Sequence, residues 1–256
     1  MKETIKQTRR QMLATSGGVL GASLWGAPVL PEVNQQSPNS LKILVTGAHP
    51  DDPESGCGGT MRRFVELGHD VAVLYLTRGE AGITGVAHDE AAEIRTAEAL
   101  AACEVLQVRP LFFGQIDGDT YVNSQAYADM ARVIESEDPD VVFTHWPIDT
   151  HPDHRVNSNL VYDTWNRFRG DETKAFDLYY YEVMTGIQSQ NFHPTHFMDI
   201  TEVAAIKKEA TLKHVSQEAA DWFSYHEKMD EFRGFQYRWN CKAAESFIRQ
   251  GFSEMI

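Results

Sequence analysis

From Leu41 onward, short apolar runs rich in β-branched and aromatic residues alternate with longer stretches whose apolar positions recur every three or four residues. The short runs, LKILVTG (41–47), DVAVLYLT (70–77), PLFFG (110–114), DVVFTHW (140–146) and DLYYYEV (177–183), read as strands bounded by turn residues. The longer stretches at 58–68, 89–106, 124–138, 154–168 and 201–216 read as helices, and Thr201 and Glu202 suit the N-terminus of the last. Strand and helix in alternation imply a parallel sheet with crossover helices. The expectation is therefore an α/β chain with a single Rossmann-like domain over residues 41–256, its mainly parallel sheet flanked by helices. In such sheets ligands sit beyond the C-terminal ends of the strands, so whatever follows the first four strands should converge there.

Composition narrows the partners more than the fold. The 256 residues are 42% hydrophobic and 11% aromatic, enough for one sizeable core. The formal charge is -14, and because residues 1–40 carry Lys2, Lys6, Arg9 and Arg10 against only Glu3 and Glu32, the body is more acidic still. That argues against nucleic acid or an anionic membrane as partner. Cys57, Cys103 and Cys241 are too few and too scattered for a disulfide framework or a thiolate metal cage, and are expected as buried thiols.

The chemistry concentrates at two strand ends. After the first strand comes His49-Pro50-Asp51-Asp52, and after the fourth comes His151-Pro152-Asp153-His154, about a hundred residues later. Alone, the first could be a type I turn with a capping aspartate and the second a helix start. Together, at the mouth of one sheet, they supply the imidazole nitrogens and carboxylate oxygens that Zn²⁺ takes when three protein groups leave a position for water. Clustered carboxylates without a cation would repel one another and drift upward in pKa. Neighbouring residues on a turn point different ways, so one of Asp51 and Asp52 is expected as a ligand and the other beside the ion's water.

AHPDDPE followed by HPDHR resembles the PIG-L/LmbE-type family of zinc-dependent N-deacetylases, which remove acetyl from N-acetylglucosamine-containing substrates. LTRGEAG (76–82), EIRTAEALAACEVL (93–106), GQIDG (114–118), KKEATLKHVSQ (207–217) and AAESF (243–247) extend the likeness over nearly everything from Leu41 to Phe247. The resemblance implies His49, Asp52 and His154 as metal ligands and Asp51 as general base. It implies His151 facing the developing oxyanion, with Asp153 orienting that histidine. It implies Zn²⁺ as cofactor, with Fe²⁺ possible on the same ligands, and a small-molecule or glycan substrate carrying an N-acetylated amino sugar. Some members carry a tyrosine near the site; the corresponding places here hold Asp149 and Ala243.

Secondary candidates have two readings each. Arg78 would contact substrate hydroxyls or an anionic aglycone in the family pattern, or form a loop ion pair with Glu80. Asp117 would hydrogen-bond a sugar hydroxyl, or turn the chain. Cys57 beside the metal loop reads as a small packing residue rather than a nucleophile. His214 reads as structural, and His145, His193, His196 and His226 have no spacing that recommends them.

Residues 1–40 read as an address and a linker. Arg9-Arg10 precedes a weakly apolar, glycine-broken stretch that resembles a twin-arginine export signal, implying an exported, periplasmic protein. That stretch is a poor permanent membrane span. Two other readings compete for the whole chain. ILVTGA resembles the opening of nucleotide-binding sheets, but the next loop lacks G-x-G-x-x-G and offers carboxylates where a pyrophosphate needs amide donors. An exported carbohydrate-binding module that keeps the metal without turnover would need neither Asp51 nor His151.

Overall fold

The computed structural model describes residues 40–251; the expected export signal, with Arg9 and Arg10, lies outside the described residues. Leu41 onward forms one compact unit. In chain order it contains β1 (Lys42–Gly47), α1 (Asp52–Glu66), β2 (Asp70–Tyr75), α2 (His88–Leu106), β3 (Arg109–Phe112), α3 (Ser124–Glu137), β4 (Val141–His145), α4 (Pro152–Phe168), β5 (Asp177–Tyr181), β6 (His196–Asp199), α5 (Ala204–Thr211), α6 (Ala219–Tyr237) and β7 (Ala244–Arg249), with a 3-10 turn at Val215–Gln217 before α6. The seven strands form one sheet in the order β3-β2-β1-β4-β5-β7-β6. The first five run parallel, and β7 pairs antiparallel with both β5 and β6.

Side-chain alternation along β1 and β2 divides the core between the two faces of the sheet. Ile43, Val45, Val71, Val73 and Tyr75 pack with Cys57 and Met61 of α1, with Ala99, Ala102, Cys103 and Leu106 of α2 and with Ala210 of α5. Leu44, Ala72 and Leu74 point the other way, onto Met130 and Ile134 of α3 and Leu160, Val161 and Trp165 of α4. This is why the central strands are apolar throughout rather than alternating. β1 and β4, whose ends carry the two histidine motifs, are hydrogen-bonded neighbours, with Leu44 opposite Val142 and Val45 opposite Phe143.

The five expected strands and five expected helices are present, but the helix expected over 201–216 spans only Ala204–Thr211, with Thr201 and Glu202 before it, and one further boundary is shifted. The first helix, expected over 58–68, begins at Asp52. A Cβ at Gly56 would lie 2.5 Å from the Tyr181 ring and 2.9 Å from the Glu182 carbonyl, so the helix backbone rides against β5 in a space that only glycine fits. The second correction is at the far edge: β6, β7 and α6 do not stand out in the sequence. β6 is four residues long. β7 buries Glu245 and Ser246 among its apolar positions. The inner face of α6 carries His226, Asp230 and Arg233 while Phe232 and Phe235 face outward, which reverses the usual helical pattern.

Those polar residues are matched. Lys207 on α5 is buried and its Nζ lies 2.8 Å from Asp230 Oδ2 and 2.9 Å from Glu245 Oε1. Glu245 also accepts from the backbone N–H groups of Gly59 (2.9 Å) and Thr60 (2.7 Å) in α1. Arg233 grips Glu182 with two hydrogen bonds of 2.6 and 2.8 Å. Buried charges thus tie α1, α5, α6 and β7 together behind the strand ends. No helix among the described residues is long and apolar enough to cross a membrane.

Candidate metal centre and catalytic cavity

β1 ends at Gly47 and α1 starts at Asp52, leaving four residues to turn the chain. Asp51, at the cap of α1, adopts φ 110°, a left-handed conformation that costs a non-glycine residue on the order of 1–3 kcal/mol. Glu54, buried one turn into the helix, accepts the Asp51 N–H at 3.1 Å and is bonded in turn by the Tyr75 hydroxyl. His214, fully buried, stands with Nε2 3.5 Å from Glu54. The two aspartates diverge at this turn. The Asp51 carboxylate is bound by Arg95 at 2.8 Å, whereas Asp52 turns toward the histidines.

Asp52 is the meeting point of the two motifs. Its Oδ2 lies 3.1 Å from His49 Nδ1 and its Oδ1 lies 3.2 Å from His154 Nε2. The outer nitrogens of both histidines also face carboxylates. His49 Nε2 is 3.1 Å from Asp153 Oδ2 and 3.2 Å from Asp117 Oδ1, and His154 Nδ1 is 3.2 Å from Asp149 Oδ1. Such pairing fixes the tautomer and orientation of a ligating imidazole. His145, at the end of β4, stacks on His154 with ring centroids 4.0 Å apart, and its Nε2 accepts the Ala48 N–H at 2.9 Å.

The electrostatics favour a cation here. Burial works against charge on His49, yet Asp117, Asp153 and Asp52 outweigh it and hold the imidazole well above its usual pKa. His154 follows the same logic: burial lowers it, Asp52 and Asp149 raise it further, and the result is about 9. Burial alone would raise Asp52, but His154 and His145 keep it well below the usual carboxylate range. Positive charge is retained in a buried place only because the surrounding carboxylates demand it. Nitrogen and oxygen donors of this kind suit a divalent ion of the Zn²⁺ type. Taking one donor atom per residue, three sets among the described residues have those atoms within 4.8 Å of one another: His49/His151/His154, Asp52/His145/His154 and His49/Asp117/Asp153. The expected set His49/Asp52/His154 is not among them, and Asp52 meets its two histidines through different oxygens.

Asp51 behaves differently from its neighbour. Burial raises its carboxyl above the ordinary range, Arg95 opposes this, and Asp52 adds to the rise. Arg95 itself is buried and is also bonded to the Pro50 carbonyl. It reaches Asp51 past Gly82, where a Cβ would stand 2.4 Å from the guanidinium. His151 accepts the Asp153 backbone N–H at Nδ1 (3.3 Å), and burial lowers its pKa. A neutral His151 bonded in this way carries its proton on Nε2.

These groups line a cavity of about 630 Å³ together with His49, Asp52, Asp117 and His154, and with Val183, Met184, Gln188, Gln217, Trp222 and His226 from later in the chain. The sequence-predicted residues thus come together, with two differences in contact. The Asp153 carboxylate does not orient His151; it bonds His49, the Gly118 N–H (2.9 Å) and the Thr120 hydroxyl (2.6 Å). Arg78 does not line the cavity, and its Nε lies 3.5 Å from Glu80. No tyrosine lines it among the described residues; Tyr181 instead donates to the Thr46 carbonyl at 2.9 Å. Sequence reasoning missed Arg95 and set aside His145 and His226, which stand at the site. Arg95 had a signal: it is a charged position on the small-residue face of α2 made by Ala91, Ala92, Ala99 and Ala102.

Comparison with known proteins adds four likenesses. Residues 44–165 match the family described as PIG-L, GlcNAc-PI de-N-acetylase. Diacetylchitobiose deacetylase of Thermococcus kodakarensis is 30% identical over 204 residues, which is 73% of each chain. Among solved structures, N,N'-diacetylchitobiose deacetylase from Pyrococcus horikoshii superposes with TM-score 0.71 at 23% identity, over 85% of this chain and 86% of that one. 4-Carboxy-2-hydroxymuconate hydratase from Pseudomonas putida superposes with TM-score 0.73 at 23% identity, over 84% and 100%. The two superpositions establish a shared fold.

Proposed function

Since the chain belongs to the PIG-L, GlcNAc-PI de-N-acetylase family, we propose that it is a metal-dependent hydrolase that removes acetyl from an N-acetylglucosamine-type amino sugar or its conjugate. The observation that carries this reading is the divergence of two adjacent carboxylates: Asp52 meets His49 and His154, while Asp51 is turned aside onto Arg95.

His49, Asp52 and His154 hold a divalent ion, Zn²⁺ or Fe²⁺, with Asp153, Asp117 and Asp149 fixing the two imidazoles from behind. When bound, the ion supplies Lewis acidity that brings the pKa of water toward about 7. Asp51 takes the proton of the water that attacks the acetyl carbonyl, and its raised pKa suits a group that must accept and then release a proton. His151 donates from Nε2 to the oxyanion as it develops; loss of one such donor costs on the order of 3 kcal/mol. Asp51 then returns its proton to the departing nitrogen, leaving acetate and a free amine. Asp117, in the cavity lining beside His49, is also placed to meet a substrate hydroxyl, whereas Arg78, paired with Glu80, does not line the cavity.

Acetate release should be measured over a panel of N-acetylated amino sugars. Dialysis against a strong chelator is expected to abolish it, and stoichiometric Zn²⁺ or Fe²⁺ to restore it. Sugar binding without acetate release in the reloaded protein would favour the binding-module reading instead. Arg9 and Arg10 further suggest export by the twin-arginine route, which carries folded, already loaded proteins. Fractionation of native cells should then recover the protein outside the cytoplasm, and its confinement to the cytoplasm would refute that part.

A further inference from the structure

We infer that the outer face of α6 pairs with the same face of a second copy of this chain, across a two-fold axis that passes by Phe232.

The inner side of α6 is taken up by Phe223, His226, Asp230 and Arg233, all buried. The outer side carries Tyr225, Phe232 and Phe235 at helical spacing, and Trp239 follows just past the helix end. These four side chains are 54%, 54%, 76% and 91% exposed in that order. A single exposed aromatic needs no explanation, but four along one line of a helix mark an interaction surface. An aromatic side chain presents about 150–250 Å², so together the four leave roughly 500 Å² of ring in water. A standard interface takes about 800 Å² from each partner, and in homodimers about 65% of it is apolar, which is nearly the same area.

The order of the stripe along the helix selects the occupant. Met229, half-buried, lies three residues before Phe232 and Phe235 lies three after it, while Tyr225 lies seven before and Trp239 seven after. Two copies of α6 laid antiparallel about that point set Phe232 on Phe232, Met229 on Phe235 and Tyr225 on Trp239. Every apolar position then meets another, which is the self-complementarity that a two-fold contact requires and an unrelated partner does not. Charge agrees with this choice. The chain carries a formal charge of -14, so two copies repel one another over most of their surface. Around the stripe, however, Lys228 and Arg238 offset Glu227 and Glu231, and the repulsion is locally absent.

Sedimentation of the full chain over a range of concentrations should show a dimer. Phe232→Asp places two carboxylates face to face at the axis and is expected to raise the dimer Kd by at least about a hundredfold with the circular dichroism spectrum unchanged. Leu67→Asp, at an exposed apolar position after α1, should leave the Kd where it was. Crosslinking gives a second reading that needs no loss of contact. The native Cys57, Cys103 and Cys241 are buried, so mild oxidation of Phe232→Cys should join two chains through position 232, whereas oxidation of Leu67→Cys should not. A monomer at every concentration up to about 1 mM would overturn the pairing. So would an oligomer that Phe232→Asp leaves intact, or one that Leu67→Asp weakens equally. A monomer that instead adsorbs to lipid vesicles through Phe235 and Trp239 would overturn it too, and would assign the stripe to a membrane surface.

Discussion

Replacing Asp51 by asparagine is expected to cut acetyl hydrolysis by about 10²–10⁴-fold while leaving bound metal and thermal stability near those of the unsubstituted protein. The asparagine carbonyl oxygen can still accept from Arg95, which now bonds the carboxylate at 2.8 Å, so the turn at φ 110° keeps its anchor. What disappears is the ability to take a proton at that place. Metal content by mass spectrometry should be unaffected because Asp51 faces Arg95 while Asp52 faces His49 and His154. His154→Ala is the contrasting variant, expected to lose metal and turnover together. Full activity in the Asp51→Asn protein would remove the general-base assignment and, with it, the division of labour between the two aspartates.

The second large effect is on stability and arises away from the reacting groups. Lys207→Met is expected to lower the free energy of unfolding by about 3–5 kcal/mol, because it strands two buried carboxylates that now share one ammonium group. Burial already pushes Asp230 up to about 7 against the pull of Lys207. With the lysine gone, that carboxyl and Glu245 lose the ammonium group they share. Adding Glu245→Gln to Lys207→Met should recover part of the loss, since one of the stranded charges is then absent, although the Gly59 and Thr60 N–H groups lose a charged acceptor. Urea unfolding midpoints read this directly. An unshifted midpoint in Lys207→Met would mean that the network contributes nothing net to the fold.

The sequence was most legible where local pattern and tertiary role agree. The apolar runs of β1, β2 and β4 are buried on both sides of a parallel sheet, so their burial shows as uninterrupted hydrophobicity. The two His-Pro-Asp segments could be placed together because both follow strands of that sheet, and β1 and β4 are neighbours in it. What lay hidden depends on contacts between residues far apart in the chain. Nothing local to Arg95 says that its guanidinium meets Asp51, and nothing local to His145 says that it stacks on His154. The Asp153 carboxylate lies against His49, 104 residues away, rather than against His151 two residues before it. α6 and β7 were obscured for a related reason: they bury ionic groups whose partners, such as Lys207 and Glu182, are on other elements.

The lining of the cavity comes from two stretches of the polypeptide. His49 through Asp52, Asp117 and His151 through His154 all fall within residues 44–165, the region matched by the family, whereas Val183, Met184, Gln188, Gln217, Trp222 and His226 all come after it. Inheritance of the reaction and choice of substrate can therefore drift separately. Insertions or exchanges beyond residue 165 can reshape what is admitted without moving the groups that react, so two chains that agree over the first stretch need not share a metabolite.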